Sequence, residues 1–373
     1  MTQPGRDAGR VSARLPEFPW DTLADAKTTA TAHPDGLVDL SMGTPVDSTP
    51  DAVQKALADA SDAHAYSTVI GPAPLRQAAV DWLERRFGVT GLTADHVLPT
   101  IGSKELIGNL PAQLGLGPGD LVVVPELAYP TYEVGARFAQ CEVVASDSTV
   151  RLGPVRPAVV YLNSPANPHG RIFGADHLRK MIAWARERST LLVSDECYLE
   201  YAWEGEAFSV LHPDINGGSL GGVLAVHSMS KRSNMAGYRG AFTAGDPAVL
   251  GELLEVRRHL GFMMPTPVQA AMIAALADDD QVEHQRTVYA ARRSKLRTAL
   301  ESAGFTIDHS EGSLYLWATR DEPCRDTIDW LAERGILAAP GDFYGATGKR
   351  HVRVAFTATD ERVDAAVERL APS

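Results

Sequence analysis

The densest chemistry in the sequence lies between Ser228 and Gly240, in Ser228-Met229-Ser230-Lys231-Arg232-Ser233-Asn234-Met235-Ala236-Gly237-Tyr238-Arg239-Gly240. A primary amine, Lys231, stands with the hydroxyls of Ser228 and Ser230, the guanidinium of Arg239 and two glycines. Such a set suits an anionic cofactor held covalently. Lys231 could form a Schiff base with an aldehyde while Ser228, Ser230 and Arg239 receive a phosphate. The glycines would let the backbone approach a flat ring, or turn without a Cβ clash. Taken alone, Lys231 reads more readily as a solvated surface lysine, since lysines are rarely buried.

Other stretches carry chemistry at a distance. Gly102-Ser103-Lys104 falls between an expected strand and an expected helix, where free amides and the helix dipole favour phosphate, although an ordinary capped helix explains it too. Asn163-Ser164-Pro165-Ala166-Asn167-Pro168-His169-Gly170 follows an apolar run, and turn formation accounts for its Asn-Pro and Gly but less readily for the whole pattern. Asp195 ends another apolar run and could be a strand-end cap or a salt-bridge partner. Arg353, in an expected strand, has the planar fork that suits a carboxylate, or could join a surface ion pair.

These residues must be positioned by the elements around them. Continuous apolar runs at Leu121–Val124, Ala158–Leu162, Leu191–Val193 and Val223–Val226 alternate with helical patterns. That alternation predicts a largely parallel sheet covered on both faces. The link from Lys231 to the Gly240–Thr243 run looks too short for a helical crossover, so this strand is expected to be antiparallel. Thr49-Pro50-Asp51 reads as a helix start with a cap, and Asp176 as the cap of a helix carrying Leu178, Ile182 and Ala185. After Gly245 the texture becomes α+β, with a strand at Val352–Phe356 and a closing helix at Asp360–Leu370.

At 373 residues, with 45% apolar residues, the chain is large enough for two domains. A net charge of -12 argues against general nucleic-acid binding. Cys141, Cys197 and Cys324 are too few and too widely spaced for a disulfide scaffold or a clustered metal site, and no metal is expected. No apolar signal core or long transmembrane run is evident, so a soluble, cytoplasmic protein without nucleic-acid or membrane partners is expected.

The Ser-x-Ser-Lys-x-x-x-Met-x-Gly-x-Arg-x-Gly segment resembles the cofactor-lysine segment of class I/II aminotransferases, the fold-type I family dependent on pyridoxal 5'-phosphate (PLP). The resemblance implies an α/β fold, with a three-layer large domain around a mostly parallel sheet and a smaller α+β domain. The corresponding division is an N-terminal arm and part of the small domain at 1–42, a large PLP-binding domain at 43–280 and a small domain at 281–373. It further implies roles residue by residue. Lys231 binds PLP and acts as general base and acid. Gly102, Ser103, Lys104, Ser228, Ser230 and Arg239 hold the phosphate. Tyr129 stacks on the ring, Asn167 and Tyr198 bond its phenolic oxygen, and Asp195 keeps its nitrogen protonated. Arg353 pairs with the substrate α-carboxylate, near Asn167 and the backbone of Gly43. Tyr66, in Tyr66-x-x-x-x-Gly71-x-x-x-Leu75-Arg76, reaches the phosphate in the neighbouring subunit, implying a homodimer. Outside the resemblance, Tyr66 reads as a core residue and Gly43 as a turn.

Within that family, Pro16–Leu23, His33–Leu40 and Gly43–Asp47 look like the actinobacterial N-succinyldiaminopimelate aminotransferase branch. The resemblance implies ping-pong amino transfer between N-succinyl-L,L-2,6-diaminopimelate and 2-oxoglutarate in lysine and diaminopimelate biosynthesis. Such substrates need a second polar patch besides Arg353, to which Lys104, Arg232 or Glu311-Gly312-Ser313 could contribute, although ordinary solvation also explains all of these. Other readings are an aspartate, alanine or aromatic amino-acid aminotransferase, a PLP-dependent carbon–sulfur lyase and a non-catalytic PLP-fold regulator. Retention of Asp195 and Lys231 weighs against the last.

Overall fold

The computed structural model describes residues 11–371, which build three β-sheets and the helices packed on them. The largest sheet has seven strands: β2 (Val97–Thr100), β3 (Leu121–Val124), β4 (Glu142–Ala145), β5 (Val159–Asn163), β6 (Leu191–Asp195), β7 (Val223–Ser228) and β8 (Ala241–Gly245). Their spatial order is β2-β8-β7-β6-β5-β3-β4, and only β8 runs against its neighbours. Runs such as Val122-Val123-Val124 and Leu192-Val193 are buried on both faces, as an interior parallel strand requires. One face packs Trp82, Ile182 and Met272; the other packs Leu106, Tyr132 and Leu253. This is an α/β three-layer arrangement.

A smaller layered unit is assembled from both ends of the chain. β1 (Val38–Asp39) pairs in parallel with β11 (Ile336–Leu337). Beside it lies an antiparallel sheet of β9 (Thr306–Asp308), β10 (Tyr315–Thr319), β12 (Ala339–Pro340) and β13 (Val352–Ala355). Leu23, Ala30, Val38 and Leu40 share a core with Leu331, Val354 and Phe356. Arg369 ties the ends further by donating to the carbonyls of Asp35 and Gly36.

Two expected helix caps are corrected. Pro50 takes the cap position before Asp51–Asp59, while the Thr49 hydroxyl donates to the Asn234 carbonyl instead. Gly174 precedes the helix Ala175–Glu187, which leaves Asp176 in its first turn, paired with Arg179 at 2.8 Å. In both cases the residue type suited a helix start, and the backbone placed that start one or two positions away.

The fold brings the chemistry to one edge. Strands β5, β6 and β7 end at Asn163, Asp195 and Ser228, side by side at the carboxyl edge where parallel α/β sheets bind ligands. β8 returns antiparallel, so the segment between Ser228 and Ala241 stays on that same edge. The turn bearing Lys231 is held from behind. Arg232 is buried against Glu200, which also accepts from Arg86 at 2.8 Å and from the Trp82 indole at 2.8 Å. Removing one member of so buried an ionic cluster would cost on the order of 3 kcal/mol. Among the described residues, no helix is long and apolar enough to cross a membrane.

Candidate active site

A cavity of about 770 Å³ opens between the large sheet's carboxyl edge and the smaller unit. Ser103, Lys104, Tyr129, Asn167, Asp195 and Tyr198 reach it from one side, together with Ser228, Ser230, Lys231 and Arg239. Gly43 and Arg353 reach it from the other. Residues separated by hundreds of positions thus share one space of the size that small-molecule sites use.

Each wall has a local cause. Gly102 precedes the helix Ser103–Gln113 with φ +87°, in the left-handed region glycine tolerates. A Cβ there would overlap the Arg239 guanidinium, so glycine lets that cation lie over the helix N-terminus. The Ser228 hydroxyl caps the short turn Met229–Arg232 by accepting from the Ser230 amide at 3.2 Å. Asn163 positions its neighbours: its carboxamide donates to the Asp195 carbonyl at 2.8 Å and accepts from the Asn167 amide at 2.7 Å. The Asn167 side-chain oxygen in turn accepts from Arg353 at 2.8 Å.

The charges in this cavity are not balanced by the protein. Lys231 is half-buried, and its amine donates to the Gly43 carbonyl rather than to a carboxylate. Burial lowers its pKa, with Arg353 and Arg239 acting in the same direction, which favours a neutral, nucleophilic amine. Asp195 is 6% exposed and has no cationic partner among the described residues. It accepts from the Tyr132 hydroxyl at 2.8 Å and the Cys197 amide at 3.1 Å. Burial raises its pKa, and those two bonds only partly offset the effect. Arg353, 3% exposed, donates to Asn167 and the Ser41 carbonyl, and its Nε has no partner. Among the described residues Arg239 donates to the Ala236 carbonyl alone.

An unpaired arginine over a helix N-terminus asks for an anion. A buried carboxylate asks for a protonated nitrogen, and an amine of lowered pKa beside them suits an aldehyde. A second arginine asks for a carboxylate. A flat phosphorylated cofactor and an acidic substrate would satisfy all four demands.

Some expected residues lie elsewhere. Tyr66 is 95% exposed and outside this chain's cavity. Arg232 is corrected as a substrate contact, because its guanidinium is consumed by Glu200, Asp279 and the Ala275 carbonyl. Glu311-Gly312-Ser313 is corrected likewise. Gly312 bonds the Gly170 carbonyl and Ser313 accepts from the Trp203 indole, and neither Glu311 nor its neighbours line the cavity.

Other residues reach the site without having been singled out. Tyr315 stands over Gly43, where a Cβ would overlap its hydroxyl. Lys27, Phe18 and Trp20 line the mouth. A tyrosine inside an apolar strand signals that its hydroxyl needs a partner, but not which one.

Comparison with known proteins agrees with this geometry. The family model described as "Aminotransferase class I and II" matches residues 35–370. The chain is 61% identical to a probable aminotransferase of Mycobacterium tuberculosis, across 97% of this chain and 87% of that one. It is 56% identical to the 4-dedimethylamino-4-oxo-anhydrotetracycline transaminase OxyQ of Streptomyces rimosus, across 95% and 99%. Among solved structures it resembles a probable N-succinyldiaminopimelate aminotransferase from Thermus thermophilus, with a TM-score of 0.85 and 28% identity over 95% of this chain and 99% of that chain.

Proposed function

For a chain that belongs to the class I and II aminotransferases, and is therefore a PLP-dependent transaminase, we propose that the substrate is a long amino acid with carboxylates at both ends, N-succinyl-L,L-2,6-diaminopimelate, with 2-oxoglutarate as acceptor. The observation that carries this reading is the distribution of cations along the cavity. Arg353 lies at its buried end, and Lys27 and Lys104 line it near the mouth, both exposed and without acidic partners among the described residues. A substrate whose α-carboxylate sits on Arg353 would offer its succinyl carboxylate to the two lysines.

The residues present fit the cofactor. Arg239, Ser228, Ser230 and the amides of Ser103 and Lys104, with Gly102 giving room, would hold its phosphate. Asp195 would face the ring nitrogen, Tyr129 a ring face, and Asn167 and Tyr198 the phenolic oxygen. When bound, PLP supplies an electron sink that stabilises negative charge at the substrate Cα.

The protein supplies the rest. Arg353 and Asn167 fix the carboxylate so that the Cα–H bond is presented to Lys231. Lys231 Nζ, its pKa lowered by desolvation, would take the proton from Cα and deliver it to the carbon that the cofactor contributes, the shift that amino transfer requires. Trp20 and Phe18 narrow the mouth and limit water.

The proposal extends to a homodimer in which Tyr66 reaches the partner subunit's phosphate site. An almost fully exposed tyrosine with Ile70 partly exposed nearby supports it, and sedimentation at twice the chain mass is the expected result. Three free thiols, at Cys141, Cys197 and Cys324, suit a cytoplasmic setting.

A second reading has its own observation. An apolar bay of about 310 Å³, lined by Phe18, Trp20, Tyr129, Val134 and Phe138, adjoins the cavity and would take a flat multi-ring ketone. OxyQ, whose name gives such a substrate, is the relative that favours it.

The test is to mix PLP-loaded enzyme with N-succinyl-L,L-2,6-diaminopimelate and with an aspartate, alanine and aromatic panel, following the cofactor spectrum and product mass. Conversion of the N-succinyl substrate is expected. In the Lys27→Ala/Lys104→Ala variant its KM should rise about tenfold or more, with alanine turnover unchanged. Amination of a flat multi-ring ketone by enzyme first charged with an amino donor, with no conversion of the N-succinyl substrate, would reject the first reading in favour of the second.

A further inference from the structure

Tyr315 lies on β10 with its side chain in the cavity, yet the proposed chemistry gives it no task. Its hydroxyl is 2.7 Å from that of Tyr198, with the two rings edge to face at 5.6 Å. The Arg353 guanidinium, from the neighbouring strand β13, packs over the Tyr315 ring at 4.0 Å. Gly43 leaves the space its hydroxyl occupies, and the Gly43 carbonyl accepts from Lys231. Tyr315 therefore touches the arginine expected to bind the substrate carboxylate and the tyrosine expected to bond the cofactor.

We infer that Tyr315 is a positioning residue: it donates its hydroxyl proton to Tyr198, so that the Tyr198 proton points into the cavity at the cofactor's phenolic oxygen, and it backs Arg353 with its ring. The inference rests on the proposed placement of Tyr198 beside that oxygen. The direction of the bond follows from that placement, and the electrostatics of the pair agree with it. Burial pushes both hydroxyls up, and Tyr198 stays well above the usual phenol range. For Tyr315 the positive Arg353 and Lys231, with the Tyr198 bond, outweigh burial and bring it below that range. A Tyr198 proton committed to the cofactor's oxygen leaves the Tyr315 proton for the 2.7 Å contact between the two hydroxyls. The remaining groups facing the pair are Cys197, Tyr129, Tyr289 and Tyr344.

Chained hydroxyls polarise one another, so the effect should reach the cofactor. A donor on the phenolic oxygen takes up lone-pair density that a titrating proton would otherwise share. Losing the donor lets that proton be held to higher pH.

The experiment titrates the visible absorbance of bound PLP in holoenzyme variants. Tyr198→Phe should move the midpoint up by about one unit, the loss of one charge-assisted bond. Tyr315→Phe should move it the same way by roughly 0.3–0.5 unit. Adding Tyr315→Phe to Tyr198→Phe should move it no further. A midpoint unchanged in Tyr315→Phe, with Tyr198→Phe shifted, overturns the inference and leaves the placement of Tyr198 standing. An unshifted Tyr198→Phe overturns that placement, and the inference with it.

The ring has a separate readout. Glutarate, an unreactive dicarboxylate, should bind Tyr315→Phe within twofold of wild type and Tyr315→Leu about tenfold more weakly. Equal glutarate binding in both variants would overturn the backing role. Equal PLP content per chain in all variants separates these effects from a collapsed site.

Discussion

Replacing Lys231 with alanine is expected to lower transamination on the order of 10⁴-fold or more. A covalent anchor and an acid–base group are lost together, and the latter alone contributes about 10²–10⁴. The position of Lys231 also makes it hard to replace. Among the described residues no other amine reaches the same spot, because Lys104 and Lys27 are exposed toward the mouth. The variant should still bind PLP through Arg239, Ser228 and Ser230, which the absorbance of the dialysed protein would report. Small primary amines supplied in solution should restore part of the rate by replacing the missing base. A variant that retained a tenth of the wild-type rate would remove Lys231 from the centre of the reaction.

The second large effect is expected at Asp195. Opposite charges about 4 Å apart interact by about 4 kcal/mol at an effective dielectric near 20, so Asp195→Asn should lower kcat by roughly 10³-fold. Stability should move the other way. Burial raises the folded-state pKa of this carboxyl, so its ionised form is disfavoured in the cofactor-free fold. That penalty is full above the raised pKa and vanishes below the unfolded-state value. Cofactor-free Asp195→Asn should therefore melt higher than cofactor-free wild type near neutral pH, with the gap closing as pH falls through the carboxylate range. A lower Tm for the variant at neutral pH would show that Asp195 is already balanced without the cofactor.

Part of this site was legible because it is local. The Ser228–Gly240 segment, the Asn163–Gly170 turn and Asp195 sit at the ends of apolar runs, and a parallel sheet gathers such ends on one edge. The antiparallel return of β8 followed from link length alone. What was not legible depends on register between distant strands. Tyr315 looks like any residue of an alternating strand until β10 and β13 bring its ring under Arg353. Arg232 misled for the opposite reason: a cation beside the reactive lysine looks available, but Glu200 neutralises it from behind. Thr49 and Asp176 misled because cap preference fixes a residue type more firmly than a position.

The parallel pairing of β1 with β11 has a consequence for how the molecule is made. On the ribosome, the seven strands of the large sheet have all been synthesised by Gly245, so every element proposed to face the cofactor's phosphate and ring nitrogen is already available. Val38 and Asp39 must wait for Ile336 and Leu337, and Arg353 emerges later still. The nascent chain can thus complete the wall that grips the cofactor while the wall that reads the substrate is still unmade.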